Sequence, residues 1–408
     1  MSIFTQPKLS SCMSSPKTRL LSIDMMRGFT LFLMLFVNDL FIPGVPKWLL
    51  HTEAHEDGMG LADWVFPGFL FMVGISIPFA IANRQKIGES LSVISRHILM
   101  RAGSLILISL LLFNKSSLNV EVVGVSKFAW AMLLFVAIFL VWNQYPKSEK
   151  YNKLFTMLQG IGIILLAGAL LFFRSGTIEE VGWMQRGWWG ILGLIGWGYL
   201  VGALASLWCR DSLYRCGLLV VFFLGLNILY SAKLLGFVDF LMPVFNVIVE
   251  GNIPFIVLMG VLVGLLIKKT KTFPAVLLRN VIVLGILCLV IGFFLRNWFI
   301  ISKIYATPSW GLICTGISLL LFAVFYYIVD VKQNYIGLRL FERAGQNSLT
   351  TYILPDIVYL IIWTYGLPVF FYKYLGNPLW CIVGSLLWSY VMLWLAVGLS
   401  KINIRLKL

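Results

Sequence analysis

Apolar residues along this chain come in long blocks separated by short polar stretches, not at the spacing of a surface helix or a half-buried strand. Twelve blocks approach the length that crosses about 30 Å of hydrocarbon. They run over 20–42, 62–83, 98–113, 127–143, 154–173, 187–208, 214–235, 252–268, 279–297, 308–328, 347–365 and 378–400. Blocks of this length read as membrane-spanning helices, because every backbone polar group in lipid must be satisfied within the segment. The runs at 98–113 and 127–143 are short, so the pattern predicts an all-α polytopic bundle of about 10–12 transmembrane helices. The Ser-rich stretch 1–18 reads as a disordered tail and 19–408 as a single transmembrane domain. No signal peptide is expected, since Asp24 and Arg27 interrupt the first apolar block.

Composition supports the pattern. Of 408 residues, 60% are apolar and 12% charged, against about 25% charged in a soluble domain. The net charge of +15 would suggest nucleic acid, but the charges sit in short loops between apolar blocks, where topology accounts for them. With the N-terminus placed inside, the inner segments hold 23 of the 32 basic residues and 6 of the 17 acidic ones. Basic residues resist translocation, so both termini are expected to be cytoplasmic. The six cysteines form no CxxC pair, and no metal site is expected. Gly198/Gly202 and Gly260/Gly264 have the spacing that lets helices approach closely, which would allow a homodimer face.

Chemistry must come from the spans and short loops. The loop after the first block carries His51 and His55 with Glu53, Glu56, Asp57 and Asp63. A histidine beside a carboxylate is a ready general base near neutral pH, although a solvated polar loop has the same composition. Asp63 opens the second block, where it can cap the helix, with Pro67 tolerated in the first turn. It can at the same time orient a histidine ring. Asp24 and Arg27 share a helix face and can pair, as a membrane-interface ion pair or as part of a site. Asn38, near the outer end of the first span, can donate to an oxyanion or join two helices. On the inner side, Asn347 or Ser348 can cap the eleventh span, and Arg343 can meet a phosphate there.

These residues carry a resemblance. Arg19 to Gly28, Leu35-Phe36-Val37-Asn38, the histidine-bearing loop, and Gly60-Leu61-Ala62-Asp63-Trp64-Val65-Phe66-Pro67-Gly68-Phe69-Leu70-Phe71 together resemble the heparan-alpha-glucosaminide N-acetyltransferase family of transmembrane acyltransferases. The likeness is strongest over 19–84 and continues at Lys303 to Trp310 and at Gly345 to Tyr352, around the Asn347-Ser348 pair. It implies a catalytic histidine in the non-cytoplasmic loop, with acetyl-CoA supplied from the cytoplasm. The matching position is His55, eight residues before Asp63, where the family spacing is about ten; the departure leaves His51 as the alternative. Asn38 matches the family's asparagine on the preceding span.

On this reading His55 takes a proton from an amino-sugar or other glycan acceptor, Asp63 holds its tautomer and Asn38 stabilises the oxyanion. Arg27, Arg101 and Arg343, chosen by position, are expected to bind the coenzyme with Asn347 and Ser348, and Lys303 and Trp310 to contact the acceptor. Direct transfer and an acetyl-histidine intermediate both remain open. The expected location is a bacterial inner membrane. The competing class is a secondary transporter, which many spans and buried charges also fit. Against it stand the absence of a visible repeat and a polar cluster at an outer loop instead of the midplane.

Overall fold

The structure is a computed structural model that describes residues 20–41, 45–270, 272–374 and 376–408. The expected disordered tail lies outside the described residues. In chain order the helices are α1 (Leu21–Asp39), α2 (Leu61–Lys86), α3 (Leu91–Asn114), the single turn α4 (Val120–Val123), α5 (Lys127–Trp142) and α6 (Asn152–Phe172). After a two-stranded antiparallel hairpin, Ser175–Gly176 with Val181–Gly182, come α7 (Gly190–Cys209), α8 (Leu213–Ser231), α9 (Met242–Val249), α10 (Asn252–Lys269) and α11 (Pro274–Leu295). The chain ends with α12 (Pro308–Tyr326), α13 (Arg339–Gln346), α14 (Ser348–Tyr365), α15 (Phe371–Tyr374) and α16 (Pro378–Lys401).

Each of the twelve apolar blocks is a helix, so the all-α bundle expected from the pattern is present. Ten helical segments among the described residues are long and apolar enough to cross a membrane, with α9 and α10 lying in one of them. This is a multi-pass membrane protein. The other two blocks are the 16-residue α5, as its short apolar run foretold, and α14, which carries Thr350, Thr351, Pro355 and Asp356.

Helix α2 is apolar on all sides and sits at the centre, packed on α1, α7, α10 and α12. A helix without a polar face belongs inside a bundle. Its closest neighbour is α10, and glycines make that approach possible: a Cβ at Gly74 would lie 2.1 Å from the Val257 carbonyl oxygen, and one at Gly260 2.2 Å from that of Phe71. Gly264 meets Ile75 in the same seam, and Gly198 and Gly202 of α7 face Ile253 and Val257 of α10. Both glycine pairs that suggested a dimer face are therefore occupied within the chain. Their small size serves packing between its own helices.

Pro67 lies in the second turn of α2, not the first as expected, because the helix already starts at Leu61. Its missing N–H leaves the carbonyl of Asp63 without a helical donor. The N-terminus of α2 and the loop before α12 meet at one end of the bundle. Arg27, Arg101, Arg405 and Lys407 gather toward the other.

Candidate active site

Helix α2 begins with an acid that does two jobs. Asp63 is 1% exposed, and its Oδ2 accepts from the Gly60 N–H (3.0 Å), the Thr52 N–H (3.1 Å) and the Thr52 hydroxyl (3.1 Å). Gly60, not Asp63, is the N-cap residue; Asp63, third in the helix, closes the end by reaching back to the Gly60 N–H, with its carboxylate against the positive end of the helix dipole. Oδ1 lies 2.7 Å from His51 Nδ1. The histidine that Asp63 meets is therefore His51 and not His55. The loop reaches this position because Gly60 has no side chain: a Cβ there would lie 1.9 Å from the Leu50 carbonyl oxygen.

A carboxylate at 2.7 Å assigns the ring proton to Nδ1, since a carboxylate can only accept. Nε2 then carries the free lone pair, and the His51 side chain is 52% exposed. Lys303 Nζ stands 3.2 Å from the same Nδ1, 3.9 Å from Asp63 Oδ1 and 3.4 Å from the Ala62 carbonyl. One ring nitrogen cannot donate to Asp63 and accept from lysine at once, so Lys303 acts there as a neighbouring charge. Burial pushes its ammonium below the usual range, and the Asp63 carboxylate opposes that shift.

The loop that presents Lys303 is pinned from both sides. On one side Asp57 Oδ1 accepts from the Ile301 N–H at 2.8 Å, Asp57 Oδ2 pairs with Arg296 Nε at 2.8 Å, and the Ser302 hydroxyl donates to Ala54. Burial works against ionising Asp57, yet the Ile301 amide and the Arg296 guanidinium together hold it below the usual carboxylate range. On the other side the buried amides of Asn227 and Asn252 donate to the Ala306 carbonyl, and Asn252 also donates to that of Thr307. Ala306 itself sits at φ +48°, a left-handed conformation that costs a non-glycine residue roughly 1–2 kcal/mol and so requires such holding.

The remaining expected residues divide. His55 is exposed and rests on Tyr305, whose hydroxyl is 3.1 Å from both ring nitrogens. Asn38 is exposed at the end of α1 and makes no bond to His51 or Asp63. Its neighbour Asp39 is the buried one, bonded to Tyr359, Tyr372 and Lys373. Trp310 is 2% exposed, so this side chain belongs to the core and is not available as an acceptor contact.

Arg27, Arg101 and Ser348 line a cavity of about 360 Å³ between α1, α2, α3, α7 and α14. Arg27 is anchored by Asp24 (2.7 Å) and the Gly345 carbonyl (2.7 Å), and Arg101 stacks over Tyr199. Arg343 is exposed and outside the cavity, and Asn347 is buried with its amide on the Ala396 carbonyl. Both were expected beside the phosphates, and the fold sends them elsewhere: Arg343 lies on the outer face of α13, and Asn347 ties α14 to α16. Arg405, Lys407 and Gln346 line the cavity and were not singled out from the sequence, although Arg405 and Lys407 are part of a C-terminal basic cluster.

Along α2 the cavity is bounded by Ala80 at the basic end and Phe69 at the inner end. Phe69 lies six helical steps from Asp63, about 9 Å at the α-helical rise. Trp64 is buried in that layer, its indole N–H on the Ser318 hydroxyl at 3.1 Å. The described cysteines are buried and unpaired, and no group of three or more metal-ligating side chains occurs among the described residues.

Comparison with known proteins agrees with the resemblance. Residues 19–223 match the family described as a domain of unknown function (DUF5009). The heparan-alpha-glucosaminide N-acetyltransferase of Mus musculus is 26% identical over 378 residues, covering 84% of this chain and 54% of that protein. The Homo sapiens protein of the same name is 34% identical over 102 residues, 25% of this chain and 15% of that protein. The chain thus spans about half the length of the mouse relative. With residues from the first helix into the eighth inside the family profile, this chain belongs to the DUF5009 family, and its sequence is similar to part of the heparan-alpha-glucosaminide N-acetyltransferases.

Proposed function

We propose that the protein is a membrane acetyltransferase that takes an acetyl group from acetyl-CoA and gives it to an amino sugar or other glycan acceptor at the opposite end of the bundle, with His51 as general base. The observation that carries this reading is the pairing of His51 with buried Asp63 at one end of α2 and a cationic cavity along the rest of the same helix. The distribution of basic residues supports placing the cavity mouth in the cytoplasm and the histidine loop outside.

The cavity fits part of a coenzyme. Four cationic side chains, Arg27, Arg101, Arg405 and Lys407, line it and suit phosphate oxygens. Deeper in, Met34, Phe69 and Val73 give an apolar slot for a thin arm. Acetyl-CoA would supply an activated acetyl thioester. His51 Nε2 removes the acceptor's proton as its nitrogen or oxygen bonds to the carbonyl carbon, and the carbon–sulfur bond breaks to release the thiol as thiolate. Asp63 keeps the proton on Nδ1 and stabilises the imidazolium that forms. Lys303, 3.2 Å from Nδ1 on the Asp63 side of the ring, balances part of the buried carboxylate's charge. The roughly 9 Å layer around Trp64 must part for the acetyl group to reach His51, so a conformational step belongs to the cycle. His55, held by Tyr305 and without a carboxylate partner among the described residues, is better placed to contact the acceptor than to serve as base.

The test compares His51→Ala with His55→Ala in purified, reconstituted protein. Acetyl transfer to glucosamine should vanish in the first and persist in the second, while CoA should still raise the melting temperature of both. Near-normal transfer by His51→Ala would remove His51 as base. No stabilisation of the native protein by CoA or acetyl-CoA would argue for transport of some other solute.

A further inference from the structure

A second recess lies at the end of the bundle away from His51, outside the coenzyme cavity. It measures about 530 Å³ and opens sideways between the first turns of α3 and α8 and the last turns of α7. Leu91, Leu204, Leu207 and Trp208 form its apolar wall, and Arg210 and Arg215 its polar edge, with Ser95 beside them. Leu91, Leu204 and Trp208 are 57%, 42% and 55% exposed, so the wall is open to whatever surrounds the helices.

The charges around the recess do not cancel. The acids near it are already paired: Glu89 with Arg84 at 2.8 Å, and Asp211 with Lys268 at 2.6 Å. Arg215 lies over the Trp208 ring, 5.8 Å from its centroid, and Arg96 is exposed one residue from Ser95. Helices α3 and α8 both begin here, capped by Ser90 and Ser212, with no acid in either first turn. Two positive helix ends and two arginines converge here, opposed by the negative end of α7, while the carboxylates of Glu89 and Asp211 are each balanced by a partner of their own. A site with a cationic rim at the helix ends and an apolar wall running toward the middle of α7 matches a molecule with an anionic head and a hydrocarbon tail.

We propose that this recess binds an anionic phospholipid, its phosphate between Arg210 and Arg215 and an acyl chain along Leu204 and Leu207. Trp208 would sit at the level of the headgroups, where indoles are favoured. The site is independent of the acetyl-transfer reading, because none of its lining residues belongs to the cavity or the histidine loop.

Native mass spectrometry of the detergent-purified full chain tests this with phosphatidylglycerol and phosphatidylcholine of identical chains. Phosphatidylglycerol should be retained at concentrations where phosphatidylcholine is not, and the double variant Arg210→Gln/Arg215→Gln should weaken its retention tenfold or more. CoA stabilisation should be unchanged in that variant, and the lipid-free melting temperature checks its folding. If the pair proves poorly folded, Arg210→Gln alone is read, with a several-fold loss expected. Equal retention of both lipids, or native retention by a folded variant, overturns the proposal. Complete displacement of the lipid by inorganic phosphate, or by CoA, would also overturn it and assign the site to a free anion.

Discussion

Replacing Asp63 by Asn separates the geometry of the His51 pair from its proton. The side chain keeps its size and one oxygen, which can still accept from the Gly60 and Thr52 N–H groups that Asp63 binds at 3.0 and 3.1 Å. The amide NH₂ then faces His51 Nδ1, where the carboxylate oxygen now lies at 2.7 Å. An amide donor at that point demands a bare Nδ1, so the neutral ring's proton moves to Nε2. The exposed nitrogen can then no longer take a proton from the acceptor. Lost general-base catalysis is worth about 10²–10⁴-fold in rate, and a wrong-tautomer triad histidine falls near the upper end, at about 10⁴.

The stability cost is smaller, because charge-assisted bonds become neutral ones without being orphaned: about 1–2 kcal/mol, undiminished by solvent since Asp63 is 1% exposed. The assay is the initial rate of acetyl transfer at saturating donor and neutral pH, with CoA-induced stabilisation as the binding control. A folded, CoA-binding Asp63→Asn protein that kept its rate within about threefold of native, less than 1 kcal/mol of barrier, would refute the claim that Asp63 sets the tautomer of a catalytic His51.

Other perturbations probe other parts of the molecule. Arg101→Gln with Lys407→Gln should raise the CoA concentration needed for thermal stabilisation by about tenfold, roughly 1.4 kcal/mol, whereas Arg343→Gln, outside the cavity, should leave it unchanged; equal effects would misplace the phosphates. Asp57 has a lowered pKa in the fold, so its clamp on Ile301 and Arg296 stabilises fully above the ordinary value of 3.8 and is lost as pH falls through the lower folded value. Melting temperature should therefore drop more steeply with acid in the native protein than in Asp57→Asn, and parallel curves would count against the clamp. Gly260→Ala, whose Cβ would meet the Phe71 carbonyl oxygen at 2.2 Å, should cost about 1–3 kcal/mol or more as α2 and α10 are forced apart; an unchanged melting temperature would contradict the seam.

The fold was legible because lipid leaves few choices: a block of twenty apolar residues has only its own backbone to bond with, so every block became a helix. The chemistry at Asp63 was half legible. An acid at the start of an apolar run predicts that it closes the helix end, and it does, although from the third helical position with Gly60 as the N-cap. Which histidine it meets was not legible from spacing, because the loop folds back over Gly60 and brings residue 51, twelve positions away, nearer than residue 55. Trp310 shows the opposite limit. Its place beside Lys303 in sequence suggested a shared role, but Thr307 precedes a helix that turns the indole into the core. Arg343 and Arg27 are equally basic on paper; the Gly345 carbonyl and Asp24 fix the Arg27 guanidinium beside the cavity, while Arg343 is exposed.

The central position of α2 ties the two ends of the proposed reaction together. Its first turn holds the carboxylate that orients His51, its middle lines the cavity through Phe69, Val73, Ser76 and Ile77, and its back is locked to α10 at Gly74. The α2–α10 seam is backbone against backbone at Gly74 and Gly260, which makes it the tighter side of α2. Helix α1 meets α2 across side chains, with Thr30 and Leu31 facing Gly68 and the cavity, and is itself seamed to α13, where a Cβ at Gly28 would lie 1.8 Å from the Phe341 carbonyl oxygen. On the proposed reaction, passage of the acetyl group should therefore be gated by α1 moving together with α13 against α2, which would open the layer around Trp64 without disturbing the His51–Asp63 bond.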